Sequence, residues 1–326
     1  MRCCKQPPRN IVERISGLKT MRIRLIIAAA MLLCFPAWAD VVRGVPIRVA
    51  SIYLSPDSAS NKLAEIDRGR EVVILETSRD WLHVEAALTE EKTITGWMLD
   101  KGVVLASTPN GDKILFGEAV DSEDQASQRH GRRGAAQDAM RLYYRTAEYF
   151  PHSPLAGEAM YRSADIRWQI EKADVMSRPS AKEKDAYLRE GMDEEFMKEV
   201  MKKFPGTKWA DLAAFHLIEN KLCGDWQATS KCPEKESEMY EKYASDHAQS
   251  PAVAEALYDA AWRRSALIEI YKTEEQSKKS DESRGKAIAL AQKAVAQSPQ
   301  NDWGARAQLL LFMIEQNIPT YGNGVN

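Results

Sequence analysis

Cys223 and Cys232 stand nine positions apart, close enough for their thiols to close a short loop or to supply half of a metal site. A structural zinc centre takes about four ligands at recognisable spacings. The nearest histidines, His216 and His247, sit at none of the usual distances from the pair, so no metal is expected and the pair is read as a disulfide. A cysteine nucleophile needs a histidine base beside it. The histidines at 83, 130, 152, 216 and 247 are scattered through strand-like, linker and helical stretches instead. The sequence contains no Gly-x-Ser-x-Gly elbow, no phosphate loop and no His-Glu-x-x-His. Acidic pairs such as Glu194-Glu195 have lysine neighbours and read as solvated helix faces. Neither an enzyme nor a cofactor is therefore expected.

The disulfide reading depends on compartment, and the N-terminus supplies one. Met21-Arg22-Ile23-Arg24 is a short basic start, and Leu25 to Phe35 is an unbroken apolar run of 11 residues. Ala37-Trp38-Ala39 then puts small residues at the −3 and −1 positions of a cleavage site. This is the layout of a secretory signal over 21–39, cleaved after Ala39. The run is too short for a permanent span, which takes roughly 20 apolar residues. Membrane contact is thus expected only through this segment, if it stays uncleaved. Residues 1–20 read as a start-site extension ahead of Met21. The chain is expected in the periplasm or cell envelope, where disulfides persist.

Composition agrees with a folded, exported chain. Of 326 residues, 44% are hydrophobic and 28% charged, a globular profile. The first 39 residues carry seven basic side chains against Glu13, so their removal takes the net charge from −2 to −8. Such an acidic chain is a poor fit to nucleic acid, whose binding is driven by Lys and Arg.

Residues 41–106 carry short strand-like runs separated by turns. Pro46 to Leu54 alternates apolar and polar and is broken by Ser55-Pro56-Asp57. Leu63-Ala64-Glu65-Ile66 leads to an Asp67-Arg68-Gly69 turn, and Glu71 to Glu76 leads to Ser78-Arg79-Asp80. Trp81 to Glu85, Thr95 to Met98 and Val103 to Leu105 follow. Many short strands at this spacing indicate an all-β barrel or sandwich, and a segment this short admits only a small barrel. Gly69 before a strand, Trp81 with Val84, and Gly96 with Trp97 resemble the signature of the bacterial SH3 (SH3b) domain. The stretch Ala86 to Thr93 departs from it, being longer and more charged than the usual tight hairpin. The resemblance implies a binding module for cell-wall peptide or an envelope protein. Tyr53, Trp81 and Trp97 are its aromatic groove candidates, although in so small a domain both tryptophans are first expected to be core or hinge residues of the barrel. His83, opposite in face to Leu82, reads as a surface residue.

Residues 107–134 open with a Thr-Pro-Asn-Gly-Asp turn and are polar and glycine-rich, so they read as a linker, helical at most from Glu118 to Gln128. From Ala135 the hydrophobic period changes from two to nearly four, and a pattern recurs. Segments at Phe150, Phe204, His247 and Ser298 each reach a polar residue three positions on: Ser153, Thr207, Ser250 and Asn301. Six positions beyond those stand Ala159, Ala213, Ala256 and Ala307, and eight beyond stand Tyr161, Phe215, Tyr258 and Leu309. Tyr143, Met197, Tyr240 and Ala291 precede the turns. A helix entering a Pro/Gly/Ser turn, then a capping residue and a second helix, makes a helical hairpin. Hairpins in tandem bury their open faces on one another. The expected fold is therefore multidomain: a small all-β SH3-like barrel at 41–106, then an all-α helical-hairpin solenoid over 135–317, with a tail at 318–326. The capping residues are 54, 43 and 51 positions apart, longer than the roughly 34 of a tetratricopeptide unit. The extra length falls at Ser177–Lys184, Gly224–Lys231 and Thr273–Ser283.

The phrase Phe-Pro-x-Ser-x-x-Ala-x-x-Ala resembles tetratricopeptide-like (TPR-like) repeats of envelope proteins of the BamD and Tol–Pal coordinator type. It implies binding of a protein or peptide. Tyr144, Arg145, Arg162 and Arg263 lie between the core stripes, where a groove would be lined. The expectation is a non-catalytic periplasmic scaffold whose partners are an envelope protein or peptide, or peptidoglycan. The alternative is a targeting or regulatory subunit of a peptidoglycan-processing or outer-membrane assembly complex.

Overall fold

A computed structural model of the chain describes residues 41–89 and 91–321. The expected extension at 1–20, the signal at 21–39 and the cut after Ala39 lie outside the described residues. Seven strands come first: β1 (Arg43–Pro46), β2 (Ala50–Tyr53), β3 (Lys62–Ile66), β4 (Val72–Ser78), β5 (Trp81–Ala87), β6 (Thr93–Leu99) and β7 (Val103–Leu105). They form one curled antiparallel sheet in the order β3-β2-β6-β5-β4-β1-β7. Period-two alternation places Ile52, Leu82, Val84, Ala86 and Met98 on the inner face with Ile66 and Val72, all buried.

Two strand expectations are corrected. The run from Pro46 to Leu54 is two strands, because β1 pairs with β4 and β7 whereas β2 pairs with β3 and β6. Between them the Ile47 N–H donates to Gly102 O at 2.9 Å, and the Ile47 carbonyl accepts from Arg68 Nε at 2.8 Å. Ladder pairing also continues to Ala87↔Thr93, and the Leu88 N–H donates to Lys92 O at 2.8 Å, so this hairpin is tighter than its charge suggests.

Helices follow: α1 (Gly111–Ser127), α2 (Ala135–Tyr149), α3 (Ala156–Val175), α4 (Glu195–Lys203), α5 (Lys208–His216), α6 (Lys231–Asp246), α7 (Val253–Thr273), α8 (Ser277–Gln297) and α9 (Asp302–Glu315). The expected connector is in fact α1, which starts at Gly111 and packs on α2. Its Leu115 and Ala119 are fully buried with Val45 and Val104 of the sheet and Leu142 and Tyr143 of α2. The apolar stripe of α1 is thin and is followed by the acidic run Asp121-Ser122-Glu123-Asp124, so periodicity alone does not mark the helix.

The repeated turns join α2 to α3, α4 to α5, α6 to α7 and α8 to α9. The four repeat alanines, Ala159, Ala213, Ala256 and Ala307, are each 0% exposed. Small side chains therefore sit where neighbouring helices come closest. Tyr143, Met197, Tyr240 and Ala291 are buried as well. Leu309 departs, at 61% exposed, because it lies on the last described helix, which has no following pair to cover it.

Capping divides the turns into two kinds. Thr207 Oγ1 accepts from the Ala210 N–H at 3.4 Å and Asn301 Oδ1 from the Gly304 N–H at 2.9 Å, as N-caps do. Ser153 and Ser250 are each followed by proline. Their hydroxyls accept from the N–H two residues on, at Leu155 and Ala252, and the helix starts later than expected.

Besides the inner face of the sheet and the packing around Trp226, the apolar core of the described residues forms two larger clusters. One runs from the sheet through α5 and the other from α5 to α9, meeting where α5 gives Ala213 to the first and Leu212 and Phe215 to the second. Cys223 and Cys232 form the expected disulfide. The loop it closes buries Trp226 against Trp262, Ala266 and Ile270. No helix among the described residues is long and apolar enough to cross a membrane.

Candidate functional site

The strand alternation that buries Leu82, Val84 and Met98 turns Trp81, His83 and Trp97 to the opposite face, where all three are partly exposed. Ladder register then assembles them. His83 lies opposite Trp97, Trp81 opposite Leu99, and Tyr53 of β2 opposite Trp97 from the other side. The His83 and Trp97 rings stack at 4.8 Å between centroids, and Tyr53 meets Trp81 edge-on at 5.7 Å. All three aromatic residues expected from the sequence therefore share one outer face. The reading of the tryptophans as core is corrected: the inner face is filled by Ile52, Ile66, Val72, Leu82, Val84 and Met98, and both indoles lie on the other face.

Gly96 makes this arrangement possible. A Cβ at that position would lie 2.6 Å from Ile52 Cγ2 and 2.7 Å from Tyr53 O. Without one, β2 crosses close to β6 and brings Tyr53 beside Trp97.

A groove of about 520 Å³ continues from this face, walled by Val49, Tyr53 and Leu99 and flanked by Arg48 and Lys101. Val49 is 53% and Leu99 46% exposed. Arg48 and Lys101 are exposed and have no acidic partner among the described residues. The face offers flat apolar surfaces for stacking, and the groove beside it offers two cations for a carboxylate. Sequence reading missed His83, Arg48, Val49, Leu99 and Lys101. His83 had a signal, since its spacing of two from Trp81 puts both on one strand face. The groove had none, because it depends on the split between β1 and β2.

The remaining candidates lie elsewhere. Tyr144 and Arg145 line a second cleft, where α2 meets the sheet. Arg162 bonds to Tyr143 Oη at 3.1 Å and pairs with Glu123 at 3.5 Å. Arg263 is corrected: it is only 7% exposed, with Nε donating to buried Glu236 at 2.8 Å and Nη1 to Asp259 at 3.2 Å. His216 Nε2 lies 3.1 Å from Tyr161 Oη and 3.3 Å from Asp165. Burial holds its pKa down against the pull of Asp165 and Glu219. His247 pairs with Asp211 at 2.8 Å. Among the described residues no three His, Cys, Asp or Glu side chains are grouped to hold a metal ion. No family model matches the chain, and no curated protein matches it.

Proposed function

We propose that this chain is an exported, non-catalytic interaction protein of the cell envelope. In this reading the curled sheet is a small barrel of the bacterial SH3 type, and the helical pairs form a TPR-like solenoid. The barrel takes a peptide ligand and the helices present it to a protein partner. One observation carries the reading: Tyr53, Trp81, His83 and Trp97 gather on a single outward face beside a groove with two unpaired cations. Partly exposed aromatic side chains are rigid anchors with large contact area and small ordering cost, which is why Tyr and Trp dominate binding hot spots. The nearby Arg48 and Lys101 favour a ligand that also carries a carboxylate, as cell-wall peptides do.

Co-sedimentation of the full mature chain with purified sacculi tests this. Wild-type protein is expected to sediment with the sacculi, and Trp97→Ala to remain largely in solution at the same concentration. Equal sedimentation of both proteins would refute the assignment of the face. Release of soluble wall fragments would refute the non-catalytic reading.

A further inference from the structure

A second cleft, of about 360 Å³, lies where the turn after β3 and the neighbouring ends of β4 and β5 meet α2, α3 and α4. Four arginines line it: Arg70 from the turn between β3 and β4, Arg141 and Arg145 one turn apart on α2, and Arg167 on α3. Glu71 is the one carboxylate in the lining. It is already engaged by Arg43 at 3.0 Å, by Arg145 at 3.4 Å and by the Tyr149 hydroxyl at 2.9 Å. Tyr144 and Phe196 provide apolar wall.

Each guanidinium is fixed by part of its donor set and leaves the rest open. Arg141 donates from Nε to Arg68 O at 3.0 Å and from Nη2 to Asp138, with Asp67 3.8 Å from the same nitrogen, and its Nη1 has no protein acceptor among the described residues. Arg145 uses Nη1 on Glu148 and Glu71, leaving Nε and Nη2. Arg167 lies 3.8 Å over the Phe196 ring, with Nε on Glu171 at 2.8 Å and Nη2 on Asp193 at 3.4 Å, leaving Nη1. Arg70 uses Nε on Asp67 and Nη1 on Ala87 O, leaving Nη2. The two walls are held in contact by Gly69, whose backbone is left-handed (φ +75°) and whose missing Cβ would fall 2.8 Å from Arg141 Cβ. Guanidiniums positioned before binding lose little freedom on donating to one further carboxylate.

We propose that this cleft is a docking site for an acidic peptide segment of a partner protein. Aspartate or glutamate carboxylates would take the open guanidinium nitrogens, and an apolar neighbour would lie against Tyr144 and Phe196. The size fits a few side chains, at the low end of ligand pockets, which span roughly 300–1,000 Å³. A nucleic acid is disfavoured, since the chain beyond residue 39 carries a net −8 and a polyanion would meet that charge outside the cleft. The site is separate from the aromatic face, so either assignment can fail alone.

The test is selection of short random peptides by the full mature chain, followed by fluorescence anisotropy on an enriched peptide and its Glu→Gln and Asp→Asn twin. The expected outcome is enrichment of Asp and Glu beside an aromatic or aliphatic residue. Binding should weaken about tenfold in the amide twin and to a similar extent in Arg167→Gln. Arg167→Lys should fail to restore it, because a lysine lacks the planar fork that lies over Phe196. Trp97→Ala should leave it unchanged. The proposal is overturned if no acidic residues are enriched, if Arg167→Gln and Arg145→Gln bind as the wild type does, or if inorganic phosphate competes as well as the peptide. Circular dichroism of both variants separates lost binding from lost fold.

Discussion

Glu255 shows how burial alone can set the behaviour of one side chain. It sits half-buried on α7, and that burial, reinforced by Asp259 and Glu219 and only partly offset by Arg306, pushes its pKa to about 7. Burial raises Asp259, one turn further on, in the same direction. An unfolded chain releases the Glu255 proton near the ordinary 4.5, whereas the folded chain keeps it to about 7. Between those values the folded state binds more protons, so stability should fall as pH rises through that window. Thermal midpoints followed from pH about 4.5 to about 7 should therefore decline in the wild type and decline less in Glu255→Gln. Identical slopes would show that the carboxyl is solvated. Legibility at this scale followed spacing. Tyr53, Trp81 and Trp97 were readable as candidates, and strand alternation placed His83 beside them. Arg263 was not readable, because its burial depends on Glu236, which lies on another helix across the hairpin.

Among the elements, the disulfide loop between α5 and α6 carries the most dependence on a covalent bond. It is anchored by Glu236, which accepts from the Cys223 N–H at 2.8 Å, from Trp226 Nε1 at 3.2 Å and from Arg263 Nε at 2.8 Å. Closing so short a loop contributes about 2–3 kcal/mol by restricting the unfolded chain. Cys223→Ser with Cys232→Ser should therefore lower the thermal midpoint by roughly 3–5 °C, and reductant should do the same to the wild type. An unchanged midpoint in calorimetry would mean that Trp226 packing suffices. The four helical turns were legible because each Ala at the close approach recurs at the same distance from a turn residue. The two Ser-Pro turns deviate in detail, since each serine hydroxyl reaches only the N–H two residues on. The helix α1 was hidden by its polar surface.

At the scale of the whole molecule, sheet and helices are continuous. The described residues from Val42 onward form one compact unit, and Val45 and Val104, opposite each other on β1 and β7, share a core with Leu115 and Leu142. Arg68 extends the junction with Nε on Ile47 O at 2.8 Å and a guanidinium contact to Glu118 of α1. Two independent domains on a loose linker would unfold separately. A shared core instead predicts that Val104→Ala lowers the stability of strands and first helices together, by about 1–2.5 kcal/mol. Hydrogen exchange should show faster opening in both β7 and α1, and acceleration confined to the sheet would contradict it. Val104 and Leu115, on either side of the compositional change at 106/107, share that core.

The central claim is that the outward aromatic face binds an envelope peptide and leaves it chemically intact. Calorimetric titration of purified cell-wall stem peptides into the purified chain, with mass analysis of the recovered peptide, tests it most directly. The account predicts saturable binding, weakened at least about tenfold by Trp97→Ala, and recovered peptide of unchanged mass. Equal affinity in the variant, or a cleaved peptide, would contradict it.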